Sequence, residues 1–379
     1  MTPDRGLTGP PEELTITKPT IPTMKKFHSN SLAATLVVAG LASAARVHAQ
    51  ALTEVTVSGG NASSSLLFYQ VTNQFQGVTT VGATSSSTVR SFQGYLPSLP
   101  GSSPNVQIDF ILNGAVGGLQ DITYQNVETN ALGVATNVPV LVVSSTTPEA
   151  VGLSSAPFTE VKTLVAPYLF IKSPVASLNP GLATVTNLTQ REAAYLEGSA
   201  GTNFHSAFIG GTSTNDAVYF VGRNTASAVR TETDANIYFT GTLATYTTNS
   251  SGLPILDPAG GQTSGSAIRI LLNTIPNTIG TVAVQDLKTN LALSFEGVPY
   301  SVRNVETGSY PLWGYEHWYW LSSGQGAPTP AQLAVVNNLL AGITNVTFQT
   351  SNPLFTNSFV PYSGLQVQRA VDGGPITWQ

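Results

Sequence analysis

The sequence predicts an α/β fold, and three stretches carry that reading. From Leu52 to Ser58 apolar and polar residues alternate as in a strand. The run Ser58-Gly-Gly-Asn-Ala-Ser-Ser-Ser then makes a small-residue turn, and Leu66, Leu67, Tyr69, Gln70, Val71 and Phe75 follow at helical spacing. Val106-Gln-Ile-Asp-Phe-Ile-Leu, continued by Asn113-Gly-Ala-Val-Gly-Gly, repeats the strand, the glycine turn and the helix start. Val218-Tyr-Phe-Val-Gly-Arg-Asn-Thr-Ala-Ser does so again ahead of Ala228-Val-Arg-Thr-Glu-Thr-Asp. Strand, turn and helix in that order form the repeating unit of α/β proteins.

The other elements follow from the same signals. Val138-Pro-Val-Leu-Val-Val reads as a short strand ending at Ser144-Ser-Thr-Thr-Pro, whereas Gly82 to Ser103, with Gly94, Pro97, Pro100 and Gly101, reads as a loop or insertion. Lys162 to Lys172 is a long apolar strand suited to passing between two domains. Thr189-Gln-Arg-Glu192 is a capping box for a helix stopping near Gly198. Ala267 to Leu272 and Ile279 to Val284 are expected as strands. Thr329 and Pro330 supply an N-cap and a first-turn proline for a helix with Leu333, Val336, Leu339 and Leu340 on one face, ending at Gly342. Trp313, Tyr315, His317, Trp318, Tyr319 and Trp320 put rings at odd and even positions alike, as a strand buried on both faces does, which favours packing over sugar stacking.

A chain of 379 residues fits two domains. Hydrophobic residues make up 41% and charged residues 9%, so a large core is available under a surface of Ser, Thr, Asn, Gln and Gly. From Met24 a basic stretch, the apolar run Leu32 to Ala45 and Val47-His48-Ala49 form a signal peptide expected to be cleaved after Ala49. Residues 1–49 are thus read as a leader with its true start at Met24. The apolar run is too short for a membrane anchor and runs into Arg46. Cleavage removes five basic and three acidic residues and takes the net charge from −5 to −7. A net acidic chain without a dense Lys/Arg segment excludes nucleic acid as a partner. The absence of cysteine excludes a disulfide framework, a thiolate metal site and lipid attachment through an N-terminal Cys. Beyond the leader only His205 and His317 remain, without metal-ligand spacing, so neither metal nor cofactor is expected. The expected location is periplasmic or secreted, without stable membrane insertion. No Gly-x-Ser-x-Gly, His-Glu-x-x-His or phosphate-loop motif occurs, and Glu192 and Glu197 fall on a presumed surface helix, so the chain reads as a binding protein and not an enzyme.

The stretch with most chemistry is Val218 to Asp234. A helix start leaves backbone N–H groups unpaired and carries the positive end of the macrodipole, which suits an anion. Arg223 adds a forked cation and Ser227 a hydroxyl. Plainer readings compete: Arg223 pairing with Asp234 or Glu232 on the surface, Ser227 as a simple N-cap, Gly59-Gly60 as a turn that backbone geometry demands, and Thr146 as a strand-end hydroxyl.

Taken in order, residues 52 to 343 resemble the phosphate-binding proteins of ABC uptake systems, in the periplasmic binding protein class. The resemblance rests on Leu188-Thr-Gln-Arg-Glu with Gly198, on Val-Gly-Arg223-Asn-Thr-Ala-Ser227-Ala-Val-Arg230, on Ile279-Gly280 and on Asn304-Val-Glu-Thr-Gly-Ser-Tyr-Pro-Leu312. It implies a two-domain, type II periplasmic binding protein-like fold with two interdomain crossover strands. Domain one would be residues 51–163 plus 311–379 and domain two residues 164–310, with hinges near Leu164 to Phe170 and Tyr310 to Trp318. In that family four loops hold the anion without a metal. Carried over, Arg223 matches the guanidinium and Ser227 the hydroxyl donor, while Ala228 and Val229 stand for Gly and Thr and keep only their N–H groups. Gly60 and Asn61 match the first loop, with Asn61 in place of Thr. Gly114 and Ala115 match the second, where a Ser is lost, and Ser145 and Thr146 stand where the family usually has Ser-Asp. The implied function is an exported, monomeric solute-binding protein that captures phosphate or a related small inorganic anion for an ABC permease. The lost donors and the missing carboxylate leave an alternative, a structural or adhesive cell-envelope protein that keeps the fold without the ligand.

Overall fold

The computed structural model describes residues 52–83, 88–99, 105–112 and 114–379, so the leader, its cleavage site and the Met24 start lie outside the described residues. The chain opens with β1 (Thr53–Gly59), α1 (Ser64–Gln74), β2 (Gln76–Ala83), β3 (Val89–Tyr95), β4 (Asn105–Ile111), α2 (Ala115–Tyr124) and β5 (Leu141–Ser144). The long β6 (Phe158–Lys172) leads to α3 (Gln190–Ser199), β7 (Gly201–His205), β8 (Ala217–Val221), α4 (Ala228–Asn236), α5 (Gly265–Leu272) and β9 (Thr278–Ala283). The chain then returns through β10 (Trp313–Leu321) to α6 (Pro330–Ile343).

These strands form one mixed sheet in the order β2-β3-β4-β1-β5-β10-β6-β9-β8-β7. β1 runs parallel to β4 and β5, as strand–helix–strand units require, and β8 runs parallel to β9. β6 joins the two ends of this order: Phe158 to Pro167 pair antiparallel with β10, and Tyr168 to Lys172 pair antiparallel with β9. A strand in that central place is covered on both faces. Accordingly the run from Leu164 to Lys172 is buried without alternation, and all nine positions of β10 are buried. The aromatic run of β10 is therefore core: Trp313 and Trp318 are fully buried, and the Trp313 and Tyr315 rings pack edge to face.

Three local expectations are corrected. Gly82 to Ser103 is not simply a loop, because β2 and β3 pair antiparallel and extend the sheet beyond β4, with Phe92 buried against the ring of Phe110. Residues 267–272 form a helix, not a strand. Ser264 accepts a hydrogen bond from the Ala267 N–H, and Ile268, Leu271 and Leu272 bury one face at helical spacing, a pattern that a short apolar run leaves ambiguous. Glu197 is no surface residue. It is buried on α3, where burial and then the neighbouring Asp234 push its carboxyl well above the ordinary range. The two capping boxes, Thr189 with Glu192 and Thr329 with Gln332, are formed as the sequence predicts.

Candidate anion-binding site

The ends of β1, β4, β5 and β8 meet around one cavity of about 80 Å³, room for several water-sized groups. Gly60, Asn61, Ala115 and Ser145 line it from the first three strand ends, and Arg223, Ser227, Ala228 and Val229 from the turn after β8. Thr146 is the exception among the positions singled out in the sequence. It is fully buried behind the cavity, with Oγ1 beside the Glu232 carboxyl and without a hydrogen bond among the described residues.

Backbone geometry makes these turns. Gly59 has φ +126°, and a Cβ there would lie 2.0 Å from the Val143 carbonyl oxygen, so only glycine fits where β1 turns past β5. The Gly60 N–H donates to that same carbonyl at 2.7 Å, and the Gly114 N–H donates to the Gly59 carbonyl at 2.9 Å, which ties the first two loops together. Gly114 in turn lets the start of α2 approach the Ala226 carbonyl, 3.0 Å from where a Cβ would sit.

Arg223 is the cation of the cavity. It is 7% exposed, and it is neither on the surface nor paired with Asp234 or Glu232; Asp234 is held instead by Arg230 at 3.4 Å. Its Nε donates to the Gln262 carbonyl at 3.1 Å and Nη2 to the Thr263 carbonyl at 2.9 Å, which fixes the guanidinium plane. No bond from Nη1 accompanies these two among the described residues, and Arg223 lines the cavity. Burial lowers the Arg223 pKa and Asp286 counters this, but a guanidinium stays charged at any ordinary pH. Ser227 occupies the N-cap position of α4, yet its side chain makes no capping bond, and among the described residues this leaves a hydroxyl without that partner on a residue lining the cavity. The Ala228 and Val229 N–H groups belong to the first turn of α4 and have no intrahelical acceptor.

Two neighbours were not singled out in the sequence. Glu316, in the middle of β10, is fully buried and accepts from the Ser63 hydroxyl at 2.5 Å and from the Ser145 hydroxyl. Burial raises its pKa, while the two serines and His317 pull it down. Because Ser145 gives its proton to Glu316, the oxygen that it turns to the cavity can only accept. Tyr168 also lines the cavity, and its buried hydroxyl, close to Ser145, meets no well-formed hydrogen-bond partner among the described residues; burial first, then Glu232, Asp372 and Glu316, hold that phenol far above its usual range, with Ser145 pulling the other way. A signal for Glu316 did exist, since one carboxylate inside an aromatic strand must find donors. Tyr168, inside a long apolar strand, gave none.

Among the described residues no group of three His, Asp or Glu side chains could hold a metal ion, and no helix is long and apolar enough to cross a membrane. The fold is that of the type II periplasmic binding proteins, as alignment with a solved structure shows. The chain aligns with a putative phosphate ABC transporter substrate-binding protein from Clostridium perfringens, solved with bound phosphate, at a TM-score of 0.51 and 15% identity over 81% of this chain and 100% of that one. An ABC-type phosphate transport receptor from Vibrio cholerae aligns at a TM-score of 0.49 and 13% identity, over 81% of this chain and 99% of that one. In sequence, 83 residues are 36% identical to the phosphate-binding protein PstS of Bacillus subtilis (strain 168), covering 21% of this chain and 27% of that protein. No family model matches.

Proposed function

We propose that this chain is an exported solute-binding protein that captures a small oxyanion in the Arg223 cavity. One observation carries the reading: Arg223 is a buried guanidinium that forms no salt bridge among the described residues, and the cavity beside it is lined by Ser227, Ala228 and Val229 at the start of α4, where the Ala228 and Val229 N–H groups have no acceptor among the described residues. A buried charge without a close counter-ion is costly, and an oxyanion would complete it. The similarity to phosphate-binding proteins supports phosphate as the first candidate and binding, not catalysis, as the role. In this reading residues 51–163 plus 311–379 and residues 164–310 act as two lobes that close on the anion about β6 and the start of β10. Delivery to an ABC permease by a monomer in the periplasm completes the proposal.

Titration calorimetry with phosphate and sulfate tests it. The native chain should bind phosphate, and Arg223→Ala should weaken binding at least about thirtyfold, as loss of one charge-assisted hydrogen bond of about 2 kcal/mol implies. Circular dichroism confirms that the variant remains folded. No heat with either anion would sink the reading and leave the structural, ligand-free alternative.

A further inference from the structure

The anion cavity does not stand alone. A second cavity of about 400 Å³ shares Asn61 and Ala62 with it, so the two adjoin at the start of α1. An inorganic tetrahedral oxyanion has no use for this space, which lies in the range that holds small organic ligands. Its walls are polar and mostly uncharged. Ser65, Gln285 and Asn357 line it with side chains that make no hydrogen bond among the described residues, and Ser264 and Ser266 present hydroxyls 2.9 Å apart. Hydroxyls and amides both donate and accept, which matches the hydroxyls of a polyol or sugar.

Charge narrows the class further. Asp286 lines the larger cavity and interacts electrostatically with Arg223 of the smaller one, whereas Lys288 is exposed at its edge. A second anionic group in the larger cavity would meet the Asp286 carboxyl, so the part of the ligand lying there should be neutral.

Resting on the oxyanion reading, we propose that the solute is a phosphate monoester of a small polyol or sugar. Its phosphate sits against Arg223 and α4, and its hydroxylated body fills the cavity lined by Ser65, Gln285 and Asn357. Calorimetry on the full chain with inorganic phosphate, sn-glycerol 3-phosphate and glucose 6-phosphate tests this. At least one ester should bind tenfold or more tighter than inorganic phosphate. Ser65→Trp, which narrows the larger cavity from the exposed side of α1, should reduce that preference at least fivefold, and Arg223→Ala should weaken ester and phosphate alike. Inorganic phosphate bound as tightly as both esters, or a preference that Ser65→Trp leaves intact, overturns the ester proposal while the oxyanion reading stands. Binding of none of the three overturns both.

Discussion

Gly59 and Gly60 are neighbours with unequal demands on their backbone. At Gly59 a Cβ would lie 2.0 Å from the Val143 oxygen and φ is +126°; at Gly60 it would meet that oxygen at 3.6 Å and the Ala115 Cβ at 3.7 Å, both ordinary contacts. Gly59→Ala should therefore cost more than about 2 kcal/mol, from left-handed backbone strain plus the clash, whereas Gly60→Ala should shift stability by less than about 1 kcal/mol. Denaturant midpoints separate the two, and equal midpoints would contradict the turn geometry. Both glycines could be read from sequence as turn residues, but which of them is irreplaceable could not, since it depends on the passage of β5, more than eighty positions later in the chain. Glu316 illustrates the same limit. Its residue type was visible, but its partners come from elsewhere, Ser63 from the N-cap of α1 and Ser145 from the end of β5. The carboxylate missing at Thr146 thus has a counterpart one strand away, which acts on the cavity through Ser145 and not directly.

Elements differ in how far their own residues determine them. The starts of α3 and α6 were legible because a capping box is a local device: Thr329 accepts from the Gln332 N–H while Gln332 reaches back to the Thr329 N–H. α5 was misread because six apolar-rich residues fit either a strand or a helix face, and Ser264, which decides the matter, lies outside the run. The same distinction separates two hydroxyls at helix starts. Thr329→Ala removes a formed cap and should cost about 1 kcal/mol of stability. Ser227 occupies the corresponding position of α4 without capping it, so Ser227→Ala should change stability by less than about 0.5 kcal/mol. It should still weaken phosphate binding about fivefold, as loss of one hydrogen bond of about 1 kcal/mol does. Thermal melts and calorimetry on both variants provide the check. A Ser227→Ala protein that loses stability like Thr329→Ala, with unchanged anion affinity, would make Ser227 an ordinary cap.

Across the whole molecule, the order of strand and helix units and the central place of β6 and β10 could be read from hydrophobic pattern, but the way the C-terminal segment is fastened to them could not. His317, on β10, is 1% exposed and bridges two carboxylates: Nδ1 lies 2.6 Å from Glu160 on β6, and Nε2 lies 2.8 Å from Asp372, in the turn between Val367–Arg369 and Ile376–Trp378. Arg369 holds the same hairpin by lying over the Trp313 ring at 4.3 Å and donating to the Gly374 carbonyl at 3.0 Å. Burial alone would lower the His317 pKa, but the hydrogen bonds to Asp372 and Glu160 outweigh it and raise it from 6.5 to about 9. A folded-state pKa above the unfolded one means that the bridge stabilises fully below pH 6.5 and loses its contribution as pH rises through about 9. The span of the shift sets an upper limit on the order of 3 kcal/mol, reduced because Glu160 is 41% exposed and solvent screens its share. Denaturation of the native chain and of His317→Gln between pH 6 and 10 isolates this term, since groups common to both proteins cancel in the difference. The stability gap between them should be widest near pH 6 and should shrink steadily toward pH 10. A gap independent of pH would mean that the imidazole titrates alike in the folded and unfolded chain, and that the hairpin carrying Asp372 is held by Arg369 and packing without a stabilising ionic bridge.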